Sequence, residues 1–237
     1  RRVADRDQVV RRGEGRDREQ GDLYWRCRPD DAGRNHQTRE AKDAVNITSW
    51  EQAYQDNFTP WDRGEPSPAL VDFFERHEIT GRVLVPGCGV GHDVAFLVSR
   101  GLDAVGLDIA PTAIERAKAR YPELAERFVL GDLFELKDQF DAVVEHTCLC
   151  ALPPEWREKY REAVVGLLKP GGRLIGVFFI NPEMDEGETG PPFGISEAEL
   201  KALLAPRFEF VESYVPHTAY PGRQGREMVG VFKLTSP

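Results

Sequence analysis

The stretch VPGCGVGHD, residues 85–93, restricts this chain's possible folds more than any other. Three glycines at alternate positions, Gly87, Gly89 and Gly91, follow the strand-like run RVLV at Arg82–Val85. A strand that enters a tight glycine turn and continues as a helix lets the backbone approach a bound nucleotide-type ligand closely. The turn alone does not choose that ligand.

The rest of the chain alternates. Two helices are expected first, Ile47–Asn57 with Ile47, Trp50 and Tyr54 on one face, and Pro66–Glu78 with Leu70, Phe73 and Phe74 as its buried stripe. Strands are then predicted at 82–86, 103–107, 127–130, 140–145 and 172–180, with helices at 92–100, 111–120 and 154–168. A last helix, Ser196–Leu204, precedes two strands near 207–215 and 227–234. Such alternation makes right-handed crossovers, so the expected fold is α/β: a doubly wound, mostly parallel, seven-stranded Rossmann-like sheet closed by an antiparallel C-terminal hairpin.

Residues 1–45 read differently. They are Arg-rich, mixed in sign and without sustained periodicity, and are expected to be a disordered segment preceding one domain over 46–237. That segment carries a net charge of +2, which leaves −11 for residues 46–237 and a total of −9. So acidic a domain is a poor match to nucleic acid, whose phosphates need clustered Lys and Arg, and a small-molecule partner is expected. The chain contains no run of 18 apolar residues and starts without a signal-peptide pattern, so a cytoplasmic protein without membrane contact, and a monomer, is expected. Cys27, Cys88, Cys148 and Cys150 show neither metal-ligand spacing nor a disulfide framework, and no metal is expected.

In doubly wound sheets chemistry collects beyond the carboxyl ends of the strands. Here those ends carry the glycine turn, Asp108 in GLDIAP, Asp132 in LGDLF, and Glu145, His146 and Cys150 in VVEHTCLCAL. A dinucleotide fingerprint would place a third-position glycine for helix packing, whereas His92 and Asp93 follow Gly91. An acid at a helix start repels a pyrophosphate and suits an ammonium group, although it also serves as an ordinary helix cap. S-adenosylmethionine (SAM) offers an ammonium group, a ribose and an adenine without any phosphate. Asp108 can accept from both ribose hydroxyls, and Asp132 from the adenine amino group while the Leu133 N–H meets a ring nitrogen.

Several motifs together extend this reading. LVPGCGVGHD, VGLDIAPTAI, GDLF and LLKPGGRLI resemble class I SAM-dependent methyltransferases. WEQAYQDNFTPWDRGEPSPAL, EHTCLCALPPEWREKY and TGPPFGISEAEL narrow the resemblance to the thiopurine methyltransferase superfamily, nearest its thiol and halide methyltransferase branch, over residues 47–233. The resemblance implies that the segment before the first strand covers the cofactor as a lid, with Trp50 and Trp61 against it. It also implies that Gly87, Asp108, Asp132, Leu133 and His146 lie on cofactor-binding positions, to which the reading of the residues adds Gly89 in the turn and Asp93 at the helix start. Tyr54 stands where the family often has Trp, and His146 and Phe193 where plant members carry Tyr. GPPF at 190–193 matches the substrate-side loop, and PHTAYPGRQGRE at 216–227 a further bordering loop, in which Arg223 and Arg226 are read as solvated rather than as anion attractors.

The implied reaction is direct transfer of a methyl group to a small soft nucleophile: a thiolate, a halide or a thiopurine. Trp50, Trp61, Phe193 and His146 would shape the pocket, and no general base is needed when the nucleophile arrives ionised. Cys148 and Cys150 are not expected to act as nucleophiles, because displacement requires no covalent intermediate and no basic group activates them. Two alternatives stand beside this reading: an O- or N-methyltransferase, which would need a base and for which His146 is the candidate, or a SAM-binding protein without turnover.

Overall fold

The computed structural model describes residues 47–182 and 190–235; the disorder expected for 1–45 lies outside them. Seven strands form one sheet: β1 (Arg82–Pro86), β2 (Asp103–Asp108), β3 (Phe128–Leu130), β4 (Phe140–His146), β5 (Leu168–Phe179), β6 (Phe208–Tyr214) and β7 (Glu227–Leu234). Their spatial order is β3-β2-β1-β4-β5-β7-β6, parallel through β5, with β7 antiparallel to both β5 and β6. The chain moves outward from β1 through β2 to β3 and then crosses to β4 on the other side of β1. The switch point therefore lies between β1 and β4, where the ends of two strands part to leave a crevice.

Alternating side chains divide the core into two layers. Leu84, Val143, Leu174 and Phe232 face a cluster completed by helix α5 (Arg157–Leu167), through Tyr160, Val164 and Leu167, and helix α6 (Glu197–Leu204), through Leu200 and Leu204. Their strand neighbours Val83, Val85, Val144, Ile175 and Val231 face a second cluster. That layer is closed by α2 (Pro68–Arg76), α3 (His92–Ser99) and α4 (Pro111–Arg120). Both faces are buried, which explains why the central strands read as continuous apolar runs. Each fully buried aromatic such as Phe73 contributes about 1.5–3 kcal/mol.

The helix termini follow local chemistry. α2 opens with Pro68 in its first turn, where the missing N–H costs nothing, so it starts and stops inside the predicted 66–78. α6 begins with a capping box: Ser196 Oγ accepts from the Glu199 N–H, and the Glu199 carboxylate accepts from the Ser196 N–H. α1 covers Ile47–Gln55 rather than reaching Asn57, which lies at positive φ. The predicted helix 154–168 starts instead as a 3₁₀ turn, Pro154–Trp156, because consecutive prolines at 153 and 154 withhold backbone donors. Cys150, and the residues beside it, form another 3₁₀ turn, Leu149–Ala151, rather than continuing the strand. β5 begins at Leu168, earlier than the predicted 172, through a register shift opposite Phe140.

Gly91 shows how closely the first turn is packed. It sits at φ +88°, and a Cβ there would lie 2.5 Å from the Phe128 ring. Gly91→Ala is expected to destabilise the fold by about 2–4 kcal/mol, from left-handed strain together with overpacking. Urea denaturation of the variant checks this; a loss below about 1 kcal/mol would show that Phe128 relaxes freely.

Candidate functional site

The glycine turn and the end of β2 make one unit. Gly87 and Gly89 adopt φ +62° and +53°, which leaves the Gly89 N–H free to donate to Asp108 Oδ2 at 2.9 Å, while the Ala110 N–H donates to Oδ1 at 2.9 Å. Asp108 is only 8% exposed, and burial pushes its carboxyl above the ordinary value against these bonds. A carboxylate accepts about four hydrogen bonds, so it retains capacity on the ligand side for a pair of hydroxyl donors. That remaining acceptor capacity fits the paired hydroxyl groups of the ribose of SAM.

The segment before β1 lies directly over this turn. A Cβ on Gly89 would meet the Tyr54 hydroxyl at 2.9 Å, so only glycine admits the phenol here. Tyr54 is buried in a small cluster with Val90, Ala110 and Ala113, against which Trp61 packs. Trp61 Nε1 donates to the Tyr54 hydroxyl at 3.1 Å, and the Trp61 ring meets the Trp50 and Tyr54 rings edge-on, with centroids 5.3 and 5.7 Å apart. Burial, and then the Asp108 charge, push the Tyr54 phenol far above its ordinary pKa, so it stays neutral. Trp50 and Trp61 are thus brought together, and Tyr54 keeps the polar tip that Trp would present as an N–H.

Three further contacts hold this segment in place. Glu51 accepts from both the N–H and the hydroxyl of Thr112, at 3.0 and 2.6 Å. Arg116 donates to the Tyr54 carbonyl and to Asn57. His92 bridges the Tyr121 hydroxyl at 2.8 Å and Asp62 at 3.1 Å, and the hydrogen bond from His92 holds the Asp62 carboxyl below the ordinary range. All three anchors sit beside or within the first turns of α3 and α4.

Asp93, next along α3, bonds two protein groups. Its Oδ1 accepts from the Ser67 N–H at 2.8 Å and its Oδ2 pairs with His146 Nδ1 at 2.9 Å. Burial alone would raise its pKa, but the His146 charge and hydrogen bond, with the Ser67 N–H, hold it low. His146, at the end of β4, also lies nearly parallel to the Tyr220 ring at 5.8 Å, and the Tyr220 hydroxyl donates to the Glu65 carbonyl at 2.7 Å.

The remaining predicted positions lie at neighbouring strand ends. Asp132 closes a turn, its Oδ1 accepting from the Phe134 N–H at 2.8 Å, and Leu133 packs partly against the core. Phe193 is tied to the exit of β4 by its N–H, which donates to the Cys150 carbonyl at 2.7 Å. Arg223 corrects the sequence reading. It is 4% exposed rather than solvated, paired at 3.1 Å with the 1% exposed Glu227, and its guanidinium lies 4.9 Å from the Phe179 ring centroid. Arg226 donates to the carbonyls of Gly222, Asn181 and Pro182. The RQGRE spacing, which puts Arg223 and Glu227 four residues apart, held that information. Cys150 is buried and Cys88 and Cys148 are half-buried; desolvation foremost pushes all three thiols up in pKa, which disfavours any thiolate.

This fold, with a glycine turn and acids at successive strand ends, defines a class I SAM-dependent methyltransferase. Residues 45–236 match the profile of the thiopurine S-methyltransferase (TPMT) family, and the chain belongs to it. It is 36% identical over 195 residues to a probable thiol methyltransferase 2 from Arabidopsis thaliana, covering 79% of this chain and 85% of that one. It is 32% identical over 199 residues to a thiocyanate methyltransferase 1 from Brassica oleracea, covering 81% and 87%. A Burkholderia thailandensis 1,6-didemethyltoxoflavin-N1-methyltransferase, solved with its substrate and S-adenosylhomocysteine, superposes with a TM-score of 0.65 at 24% identity, covering 86% and 93%, and shows the shared fold.

Glu145 was noticed in the sequence only as a strand-end acid. It is completely buried; its Oε2 accepts from the Leu149 N–H at 2.6 Å, while Oε1 has no partner. Burial pushes its carboxyl up to about 7, against the Leu149 N–H and the His146 charge. Below the ordinary value of 4.5 both folded and unfolded chains hold this proton; between 4.5 and 7 the unfolded chain loses it first. Stability from this group is therefore present at low pH and lost as pH rises through that window. Glu145→Gln should gain on the wild type progressively from pH 4.5 to 7, by up to about 3 kcal/mol. Denaturant titrations of both proteins at pH 5 and pH 8 measure it; a constant difference would mean Glu145 titrates normally.

Proposed function

We propose that this methyltransferase acts on a small, soft nucleophile, a thiol or an anion of comparable polarisability, by direct displacement within an aromatic-walled site. The single observation that carries the reading is the closure of Trp50, Tyr54 and Trp61 over the Gly89–Asp108 turn. The names of the two plant relatives, a thiol and a thiocyanate methyltransferase, support that acceptor class.

SAM, when bound, supplies a methyl group on a positively charged sulfur. The protein's own part is to hold and enclose. Asp108 and the Gly89 turn would anchor the ribose, and Asp132 with the Leu133 N–H would orient the adenine. Indole faces attract a sulfonium by about 0.5–2 kcal/mol and exclude water. Charge is annihilated when an anion attacks a sulfonium methyl group, so a dry wall of Trp50, Trp61 and Phe193 favours the transition state over separated, hydrated ions. Holding acceptor and methyl in line adds the larger share.

Asp108→Ala should raise the SAM dissociation constant at least about tenfold, the weight of a charge-assisted pair of bonds. Calorimetry measures this, and an unchanged affinity rejects the anchoring role. In parallel, the protein with SAM is presented with iodide, bisulfide, thiocyanate, a small thiol and a thiopurine. Formation of S-adenosylhomocysteine with at least one of them is expected. SAM binding without turnover of any soft acceptor would overturn the proposed acceptor class.

A further inference from the structure

We propose that His146 and Asp93 form a proton-accepting dyad, so that the methyl acceptor enters this site still carrying its proton. This rests on the methyl-transfer reading above and specifies the acceptor's state. His146 Nδ1 meets Asp93 Oδ2 at 2.9 Å. Its other ring nitrogen, Nε2, is buried without any hydrogen-bond partner, on a side chain only 9% exposed. Buried imidazole nitrogens are ordinarily satisfied, and an orphan at a strand end beside the switch point is a place held for a ligand's polar group.

The surroundings assign the tautomer. The Asp93 carboxylate is acceptor-only, so Nδ1 must donate to it, and in the neutral tautomer that this contact selects the lone pair lies on Nε2. Asp93 is itself fixed by the Ser67 N–H, and the Tyr220 ring limits rotation of the imidazole. The charged and titratable groups facing His146 are Asp93 on α3, Glu145 on its own strand and Tyr220 in the loop before β7. Arg223 and Glu227, which act on the Tyr220 phenol, pair with each other. The arrangement is that of a base oriented by a carboxylate.

The step balances simply. An acceptor X–H donates to Nε2; as its lone pair forms the X–CH₃ bond, the methyl–sulfur pair stays on sulfur and the proton passes to Nε2, to be released to solvent. His146 is the proton acceptor and Asp93 a positioning residue. A halide needs no such group, whereas a thiol whose pKa lies above the ambient pH does.

The test has two arms on the full chain. First, ¹⁵N–¹H correlation spectra of His146 are recorded at pH 8, with and without S-adenosylhomocysteine, in the wild type and in Asp93→Asn. A proton on Nδ1 and a bare Nε2 are expected in the wild type, and a shifted tautomer balance in Asp93→Asn; a wild-type ring protonated on Nε2 overturns the dyad. Second, kcat/KM is compared for iodide and for a small thiol with pKa above 9. His146→Gln should lower the thiol-to-iodide ratio about 10²-fold at pH 7, with the deficit shrinking as pH approaches the thiol's own pKa. An unchanged ratio overturns the proposal. If the wild type turned over neither acceptor, the soft-nucleophile reading would fall, while the spectra would still decide the dyad.

Discussion

The first turn of α3 is the constraint on which the site depends. It follows directly from the glycine turn, whose left-handed residues let β1 reverse into a helix without a side chain in the way. Two consecutive residues there reach in different directions. His92 takes hold of Asp62, and with it the segment carrying Trp61. Asp93 takes hold of Ser67, where α2 begins, and of His146 on β4. One helical turn thus fixes the aromatic cover, the helix behind it and the imidazole at the switch point. Rigid elements position such a constellation more closely than loops could.

Charge in the interior is distributed with the same economy. Asp108, Glu145 and Glu227 are buried acids and Asp93 is largely enclosed, in a chain whose total charge is already −9. Asp93 and Glu227 have cationic or potentially cationic partners in His146 and Arg223, and their burial is compensated. Asp108 has backbone N–H groups alone and Glu145 little more, and both carboxyls are pushed up. The unmet acceptor capacity differs in place. At Asp108 it lies at the end of β2 beside the glycine turn; at Glu145 it is enclosed by core, with Tyr160 and the Leu149 turn beside it. The first is the group we propose to bind the ribose, and the second braces the β4 exit.

Period and punctuation made most of the fold legible. The alternation of apolar runs with amphipathic stretches gave all seven strands, because buried central strands and half-buried helices differ in period. Boundaries moved where local backbone chemistry intervened, as with the prolines before α5 and Asn57 after α1. Around the candidate site, the placement of Asp108 at the end of β2 beside the glycine turn was readable because the strand–turn–helix pattern fixes it. The pairing of Asp93 with His146 was not, since the two residues lie 53 positions apart and only the crossover from β1 to β4 makes them neighbours. Tyr220 carried a weaker signal that was missed: an aromatic residue in a loop rich in proline and glycine has little reason to be there unless it packs on something.

Tyr54 shows how a departure from a family pattern can keep the physics while changing the chemistry. A tryptophan in its place would bring a donor-only N–H toward Trp61, which also only donates, and the two could not bond. The phenol accepts from Trp61 Nε1 and retains its own proton to give away. Its neutrality is secured by burial and by the Asp108 charge. The cover over the glycine turn is therefore cross-linked by a polar contact as well as by ring packing, and its hydroxyl adds a donor next to the very turn where a ligand's acceptor groups would lie. Ring packing and the polar cross-link belong to the same side chain, so the aromatic cover cannot be loosened without also disturbing the glycine turn beneath it.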